Sequence, residues 1–442
     1  MNRYLLRLLQ TVHFLLAAAG MIWAYHLKDP HLLDSRTRET PALVILALSG
    51  SALTWFFLRR RKNLRLFFFV LWFSVLALTG FGEYRFLHQK ETVLTADGDN
   101  DRRLNRLGAH LVVGYHHVDD IRELVRRGYV GGVFVTRRNV EGKTFEQVRD
   151  ELSGLQALRR QAGLPPLMIA SDQEGGMVSR LSPPLPRQPA LASVLVPGLP
   201  RAELDARVAE YARQQGSGMA ALGVNVNFSP VLDLKPERAK GVLDFHTRIA
   251  ERAIASDPET VSRVALVYNR ALLAKGVLPT AKHFPGLGSV TDDTHHFSAH
   301  LTLPLDALNA RDWVPFRVAL AQTPAMLMVG HVFVDAVDRE LPASLSAKLL
   351  TGIVREDWKH EGVLVSDDMT MAAVYNRGLC QSSTQALNAG MDLLLVSYDW
   401  EKIYPVLACL LNADRSGQLR SLEASRQRLK HLPWISEPER SR

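Results

Sequence analysis

Residues 281–296 read AKHFPGLGSVTDDTHH, a segment dense in lysine, histidine and aspartate. The apolar run before it, residues 276–280, is typical of a buried strand, and Pro285, Gly286 and Gly288 exclude a helix across the segment. Loops at strand ends carry catalytic groups in many enzymes. We therefore expect this segment to contribute to an active site.

A second stretch, residues 362–371, reads GVLVSDDMTM and ends a strand-like apolar run on the adjacent carboxylates Asp367 and Asp368. Consecutive side chains on a strand point to opposite sides, so only one of the two carboxylates can face a given site. We expect residues 281–296 and 362–371 to face each other across one active site.

Composition narrows the function classes. The chain has 442 residues and a formal net charge of +8. Residues 1–100 hold 12 Lys/Arg and 7 Asp/Glu, so +5 of that charge belongs to the N-terminal part and only +3 to the rest. The basic excess is therefore weak evidence for nucleic acid binding, and no nucleic acid partner is expected. Two cysteines, Cys380 and Cys409, do not make a disulfide framework and leave the redox compartment open.

The first ninety residues contain three apolar stretches, at 11–25, 41–58 and 66–82, each near the length that crosses a bilayer. A cleaved signal peptide followed by buried helices is the alternative, although it explains only the first stretch. The basic residues between the second and third stretches predict that this link and the N-terminus are cytoplasmic, and that everything after the third span lies outside the cytoplasm. We expect a membrane segment over residues 1–90 and a polar linker over 91–102.

The remaining residues, 103–442, alternate short apolar runs with amphipathic helical patterns. Runs this apolar favour parallel strands covered by helices on both faces. Eight such units predict an α/β fold, a (β/α)8 TIM barrel, with a doubly wound sheet as the alternative. The predicted strands are 111–114, 132–136, 167–172, 223–228, 276–282, 325–331, 362–367 and 391–396. Polar residues at their carboxyl ends support the barrel, because barrel enzymes place catalytic groups there.

Two constellations have both functional and ordinary interpretations. Asp172 and Arg180 flank the turn of DQEGGMVSR and could bind sugar hydroxyls or a carboxylate, or form a surface salt bridge at a turn. Asp293 lies two residues before His295 and could orient its imidazole for general acid/base work, or both could belong to a solvated loop. A metal site using His283, His295 and His296 is a weaker alternative, because no compact helical ligand motif is present.

Asp367 ends a run of Val, Leu and Val and could act as a nucleophile that forms a covalent intermediate. The alternative is a helix N-cap formed by Ser366 or Asp367. Both interpretations can hold for different residues of the segment.

Five segments, in this order along the chain, resemble motifs of glycoside hydrolase family 3. They are ASDQEGGMVSR, NVNFSPVLDL, AERAIASDP, AKHFPGLGSVTDDTHH and GVLVSDDMTM. The chain is most similar to the bacterial β-N-acetylglucosaminidases that act on peptidoglycan fragments, over about residues 130–411. Five motifs in order are far more specific than any one of them.

The resemblance implies a retaining glycosidase that removes terminal N-acetylglucosamine, with no metal and no organic cofactor. It implies Asp367 as the nucleophile, His295 as the general acid/base and Asp293 as the partner of His295. The residues that it implies for binding the sugar are Asp172, Arg180, Arg252, Lys282 and His283.

Three features depart from the family pattern. Leu287 stands where a second histidine is usual, Met177 stands where arginine is common, and the membrane segment is absent from the familiar cytoplasmic enzymes of this kind. The spans predict a multi-pass protein of the bacterial cytoplasmic membrane with an outward-facing domain. A β-glucosidase or a phosphorylase on the same fold, and a catalytically weak membrane-tethered glycan-binding scaffold, remain alternative functions.

Overall fold

The computed structural model describes residues 3–30, 33, 36–236, 248–290 and 299–436. The chain divides into two compact units, Met1–Thr95 and Ala96–Arg442. The segment 91–102 was predicted as a linker but is helical except at residues 95–97. Its acidic residues Asp99 and Asp101 occupy the first turn of the helix Gly98–Gly108, where negative charge stabilises the helix dipole.

The first unit consists of three helices, α1 (Arg3–Tyr25), α2 (Arg36–Phe57) and α3 (Lys62–Leu94). Small side chains bring the helices close together. A Cβ at Gly50 would lie 2.1 Å from the Trp72 ring, so α2 and α3 can pack here only with glycine at that position. The predicted apolar stretches fall on these three helices.

The second unit is built on a closed barrel of eight parallel strands. Each strand pairs with its neighbours in the sequence, and β8 pairs with β1 to close the barrel. All eight predicted strands are confirmed, with ends that shift by up to three residues. They are β1 (Leu111–Val113), β2 (Gly132–Val135), β3 (Met168–Ser171), β4 (Val226–Asn227), β5 (Leu278–Phe284), β6 (Met326–Val329), β7 (Leu364–Asp368) and β8 (Leu393–Val396).

Helices connect the strands, and further short strands lie within the connecting loops. Capping residues fix several helix starts: Thr144 accepts a hydrogen bond from the backbone of Gln147, and Asp257 accepts one from Thr260. The α-helices span Gly98–Gly108, Val118–Arg126, Arg137–Val140, Phe145–Gln161, Arg201–Leu222, Ile249–Arg252, Pro258–Leu273, Leu305–Ala307, Val314–Gln322, Ala372–Tyr375, Leu379–Asn388, Ile403–Arg415, Glu423–Lys430 and Pro433–Ser436. Tighter or wider helical turns span Leu191–Val194, Leu308–Asp312, Ala343–Leu345, Lys348–Asp357 and Trp400–Lys402, and the short strands span Gln173–Gly175, Val178–Ser179, His300–Leu301 and Phe333–Val334.

Alternate strand residues fill the barrel interior, as the two-residue period of a strand requires. Leu429 and Leu432, near the end of the chain, join this apolar cluster. The inward-facing positions on and around the strands are Val112, Phe134, Met168, Ala170, Val226, Phe228, Leu278, Met326, Met328, Val363, Val365, Leu393 and Leu395. Because the interior is packed with side chains, functional groups are confined to the ends of the strands.

A buried histidine at the amino end of β7 makes the stability of the barrel pH-dependent. Burial, together with the charges of Arg355 and Arg428, lowers the pKa of His360 to about 3. The unfolded chain therefore binds a proton that the folded chain excludes at any pH between that value and about 6.5. Stability from this group is complete above the ordinary histidine pKa and is lost as the pH falls toward 3.

When the pH is lowered from 7.5 to 5, the free energy of unfolding falls in wild type because His360 titrates. We expect this fall to be about 1–2 kcal/mol smaller in a His360→Phe variant. Thermal unfolding of both proteins across that range measures the difference. Equal losses in the two proteins would show that His360 titrates normally in the folded chain.

Candidate active site

Ionisable side chains gather at the carboxyl ends of several barrel strands. Asp172 directly follows β3, Lys282 and His283 lie in β5, and Asp367 lies in β7. Because the strands are parallel, their carboxyl ends share one face of the barrel. That is the face on which barrel enzymes carry out their chemistry.

Lys282 is the centre of this cluster. Its side chain is 2% exposed, and its Nζ lies 2.6 Å from Asp172 Oδ1 and 2.6 Å from Glu174 Oε1. A buried ammonium is stable only when it is paired and hydrogen-bonded, which both carboxylates provide here. Lys282 therefore ties β5 to the loop that follows β3.

Glu174 links Lys282 to Arg252. The guanidinium of Arg252 donates from Nε and Nη2 to the two carboxylate oxygens of Glu174, at 2.9 and 2.7 Å. Burial alone would raise the pKa of the Glu174 carboxyl, but the charges and hydrogen bonds of Arg252 and Lys282 outweigh it and hold the pKa well below its usual range. Glu174 is therefore a fixed negative charge that keeps both cations in place.

Asp233 fixes the tautomer of His283. Its Oδ2 lies 2.7 Å from Nδ1 of His283, and a carboxylate can only accept there, so Nδ1 carries the hydrogen. The other nitrogen, Nε2, is then free to accept from Nη2 of Arg252 at 3.2 Å. A continuous chain of contacts therefore runs from Asp233 through His283, Arg252, Glu174 and Lys282 to Asp172.

The two carboxylates on β7 have different surroundings. Asp368 is buried and accepts five hydrogen bonds, which come from the backbone and hydroxyl of Thr370, the backbone and hydroxyl of Ser397, and the backbone of Tyr398. Asp367 is half-buried, and its Oδ1 accepts the backbone N–H of Asp368 at 2.8 Å. Asp368 is thus committed to holding the strand end together, and Asp367 is the more exposed carboxylate of the pair.

His331 also supports the end of β7. Its Nε2 donates to the backbone oxygen of Asp368 at 2.9 Å, and its Nδ1 accepts from the Ser344 hydroxyl at 2.7 Å. Burial lowers the pKa of His331, so the ring is neutral at physiological pH. The histidine anchors the backbone of the Asp367–Asp368 pair.

The structure brings together four of the five predicted sugar-binding side chains: Asp172, Arg252, Lys282 and His283. The fifth, Arg180, is exposed, and its backbone N–H donates to the backbone oxygen of Asp172 at 3.0 Å, so it lies next to the cluster. Asp293 and His295 lie outside the described residues.

Sequence reasoning missed Glu174 and Asp233. Both lie within motifs that were singled out, DQEGGMVSR and NVNFSPVLDL. Nothing in the sequence shows that each one pairs with a residue at least 50 positions away. A buried lysine needs counter-charge, and that requirement was the available signal for Glu174.

Leu287 retains one contact despite its unusual side chain. Its backbone N–H donates to Asp233 Oδ1 at 2.6 Å, and any residue except proline supplies that donor. The neighbouring Gly288 has no such freedom, because a Cβ there would lie 2.0 Å from the backbone oxygen of Leu234. Replacing the usual histidine by leucine therefore leaves the support of Asp233 intact.

A closed barrel of eight parallel strands, with acidic, basic and imidazole side chains at the carboxyl ends of the strands, defines a (β/α)8-barrel enzyme. Residues 102–432 match the Glycosyl hydrolase family 3 N terminal domain. The chain belongs to glycoside hydrolase family 3, and it is a glycoside hydrolase.

Two relatives that agree with this assignment are beta-hexosaminidases. A beta-hexosaminidase of Pseudomonas aeruginosa (strain LESB58) is 35% identical over 294 residues, which cover 65% of this chain and 81% of that protein. Beta-hexosaminidase LpqI of Mycobacterium tuberculosis is 32% identical over 324 residues, covering 71% of this chain and 78% of that protein.

Solved structures share the fold. A family 3 β-N-acetylglucosaminidase from Paenibacillus sp. has a TM-score of 0.67 at 31% identity, over 74% of this chain and 61% of that one. Mycobacterium tuberculosis LpqI has a TM-score of 0.65 at 30% identity, over 76% and 94% of the two chains. NagZ from Neisseria gonorrhoeae, solved with N-trifluoroacetyl-D-glucosamine, has a TM-score of 0.61 at 27% identity, over 74% and 89%.

Proposed function

We propose that the protein is a membrane-anchored, retaining exo-β-N-acetylhexosaminidase that uses Asp367 as its nucleophile. The observation that carries this proposal is that the neighbouring carboxylates Asp367 and Asp368 differ in hydrogen bonding and burial. Five hydrogen bonds occupy Asp368, whereas Asp367 is half-buried at the mouth of the barrel. The names of the relatives supply the sugar, a β-linked N-acetylhexosamine.

The mechanism has two displacement steps. Asp367 attacks the anomeric carbon while His295, oriented by Asp293, protonates the leaving glycosidic oxygen. His295 then takes a proton from water, which attacks the glycosyl ester and releases the sugar with its original configuration. An imidazole paired with a carboxylate takes the place of the second carboxylic acid that most retaining enzymes use.

The buried network holds the sugar unit. Asp172 uses Oδ1 for Lys282, and Oδ2 has no partner among the described residues, so it can accept hydrogen bonds from sugar hydroxyls. Lys282 and His283 are locked by Glu174 and Asp233, so binding costs little side-chain entropy. In this proposal the fixed charges of the network position the anomeric carbon against Asp367.

Hydrolysis of 4-nitrophenyl β-N-acetylglucosaminide by the full chain in detergent tests this proposal. We expect turnover, and much slower turnover of the matching β-glucoside. A preference for the glucoside would replace the proposal with a β-glucosidase. Release of a sugar 1-phosphate on addition of phosphate would indicate a phosphorylase, and binding without turnover would favour the scaffold function.

The unit Met1–Thr95 supports the membrane anchor. Two segments, Thr37–Phe57 in α2 and Lys62–Leu94 in α3, are long and apolar enough to span a bilayer. In the apolar 18-residue stretch of each segment, only 22% is buried. A core helix of a water-soluble protein would be mostly buried. Large apolar side chains in these helices instead face outward, among them Ile45, Trp55 and Phe73 at 63%, 58% and 70% exposure. Exposed large apolar side chains of this kind fit lipid.

Orientation follows from the link between α2 and α3. Positive charge is concentrated there in Arg59, Arg60, Arg61, Lys62 and Arg65, which supports a cytoplasmic position for the link. The chain after α3 then lies outside the cytoplasm, and this holds whether or not α1 also crosses the membrane.

A disulfide bond is the second support for an outward-facing domain. Cys380, in the helix Leu379–Asn388, is bonded to Cys409, in the helix Ile403–Arg415. Disulfides persist in oxidising compartments and are rare in the cytoplasm. Closing a loop across 29 residues stabilises the fold by about 3–4 kcal/mol in the chain-entropy account.

We expect both cysteines of the full chain, purified from its native membrane, to resist maleimide labelling after denaturation and to react only after reduction. A gel-shift assay with maleimide-polyethylene glycol measures the number of free thiols. The residue 96–442 segment, expressed in a reducing cytoplasm, is the control and should label without reductant. Two reactive thiols in the full chain before reduction would contradict the outward orientation.

A further inference from the structure

A second carboxyl, outside the sugar-binding network, contacts the segment that leads to the proposed acid/base pair. Residues 285–290 follow β5 and continue toward that pair. One side of the segment is held by Asp233, whose Oδ1 accepts the backbone N–H of Leu287 at 2.6 Å. Its other side meets the helical turn Leu308–Asp312 and the next residue, Trp313. The proposed mechanism assigns no role to this second contact.

Asp312 and Trp313 hold the segment near both of its ends. The Ser289 hydroxyl donates to Oδ1 of Asp312 at 2.8 Å. Nε1 of Trp313 donates to the backbone oxygen of Pro285 at 3.0 Å. The side chains of Asp312 and Trp313 are 2% and 0% exposed. Between the two contacts, a Cβ at Gly286 would lie 3.6 Å from Cβ of Asp312, so the segment packs directly against this carboxyl.

The Asp312 carboxyl has a partner at one oxygen only. Its Oδ1 accepts from Ser289, whereas its Oδ2 is buried and has no hydrogen-bond partner in the part of the chain that the structure describes. Burial raises the pKa of Asp312, and the Ser289 hydrogen bond and the charge of Arg311 offset this only in part. A buried oxygen without a partner lowers folding stability. Side chains that lower stability in this way are expected where they serve a function.

Asp312 is too buried to touch a substrate, so an effect on the reaction must pass through the segment that it holds. Ser289 lies four residues before Asp293 and six before His295. Six residues of chain span at most about 20 Å, so the position of Ser289 limits where the imidazole can lie. The sugar-binding side chains are held by other carboxylates. The Asp312 contact can therefore affect the acid/base group without affecting the bound sugar.

We propose that Asp312 is a positioning residue for proton transfer, which acts through Ser289 to hold the segment that delivers His295 to the leaving glycosidic oxygen. This inference rests on the proposed function and adds to it a residue that touches neither the substrate nor the nucleophile. Its effect falls on protonation of the leaving group and not on sugar binding.

Leaving groups of different basicity test the proposal on the full chain. The 2,4-dinitrophenyl β-N-acetylglucosaminide releases a stable phenolate and needs no acid, whereas the β-1,4-linked disaccharide of N-acetylglucosamine must be protonated as it is cleaved. We expect Asp312→Ala to lower kcat/KM for the disaccharide by about tenfold, part of the roughly 10²- to 10⁴-fold that a positioned general acid contributes. The value for the dinitrophenyl glycoside should stay unchanged. A smaller folded fraction lowers both values equally and cannot imitate this pattern.

Two further variants identify the contact. Asp312→Asn keeps an oxygen that can accept from Ser289, and we expect it to recover most of the disaccharide activity that Asp312→Ala loses. Ser289→Ala removes the same hydrogen bond from the other side. It should reproduce most of the selective loss, and the double variant should lose no more than Asp312→Ala alone. Equal losses on both substrates in Asp312→Ala, or no loss on either, would overturn the positioning role.

His295→Ala separates this inference from the proposed function. A selective loss on the disaccharide in His295→Ala, without one in Asp312→Ala, would leave the proposed function intact and overturn the inference. Hydrogen exchange tests the positioning without turnover, because the backbone amides of Gly286, Leu287 and Val290 are hydrogen-bonded. We expect peptides covering residues 284–290 to exchange faster in Asp312→Ala than in wild type or Asp312→Asn. Unchanged exchange in Asp312→Ala would refute the positioning role even if hydrolysis is rapid.

Discussion

Replacing Asp367 with asparagine is expected to lower kcat on 4-nitrophenyl β-N-acetylglucosaminide by about 10⁴-fold or more, the scale of losses when a nucleophile is removed. Asparagine keeps the size of the side chain but is a far weaker nucleophile than a carboxylate. Stability should change little, because Asp367 is half-buried. Initial rates and a thermal melt on the same preparation measure the two effects.

Asp368→Asn is the matched control, because the neighbouring carboxylate accepts five hydrogen bonds. We expect this variant to lose stability, by about 2–4 kcal/mol, since an amide nitrogen would face donors.

Azide provides a sharper readout with Asp367→Gly. Azide can occupy the space that the missing side chain leaves and attack the anomeric carbon as nitrophenolate departs. Formation of the α-glycosyl azide would identify Asp367 as the nucleophile, whereas no rescue and an unchanged kcat in Asp367→Asn would refute that role.

Glu174→Gln is expected to destabilise the barrel by about 3–5 kcal/mol, the usual cost of removing one partner from a buried ion pair. Arg252 and Lys282 both lie within hydrogen-bonding distance of Glu174 and would remain charged and buried without it. We also expect kcat/KM to fall by about 100-fold or more, because displacing sugar-binding groups by an ångström costs about that much. Chemical denaturation and steady-state kinetics measure the two losses.

The matched control for Glu174 is Glu151→Gln. Glu151 pairs with Lys143 at 2.8 Å, but both side chains are 29% exposed, so the loss should stay below about 1 kcal/mol. Wild-type stability in Glu174→Gln would show that the two cations find other partners. Wild-type activity in a folded Glu174→Gln protein would remove the network from the sugar site.

Most strands of the barrel were predictable because they contain a short apolar run that is buried on both faces. Strand ends were less predictable: β5 continues through Lys282 to Phe284, where the polar side chains argue against a strand. Val329 of β6 pairs with Phe284, and Val231 forms an isolated bridge with Lys282; these contacts stabilise extended backbone that local composition does not favour.

Candidate site residues could be predicted from the sequence where they end a strand, as for Asp172, Lys282 and Asp367. Glu174 and Asp233 could not, because they are recognised only by their contacts with the distant residues Arg252 and His283. Arg252 itself was proposed only by resemblance, since it ends the short helix Ile249–Arg252 and has no local signal.

The same limit applies to the cysteines and to the predicted linker. Cys380 and Cys409 are 29 residues apart, and only the packing of their two helices brings the Cα atoms to 5.4 Å. In residues 91–102, polar and acidic side chains predicted a linker, but the first turn of a helix favours the same acidic residues. The composition of residues 91–102 therefore indicated a polar segment correctly, but it predicted a linker where most of the residues are helical.

Trapping the covalent intermediate tests the central claim most directly. A 5-fluoro N-acetylglucosaminyl fluoride should form its glycosyl ester quickly and hydrolyse it slowly, so intact mass spectrometry should show the full chain heavier by one fluorinated sugar. Peptide mapping is then predicted to place the sugar on Asp367. A label on Asp368 or on any other residue, or hydrolysis with inversion of the anomeric configuration and no labelled protein, would contradict the account.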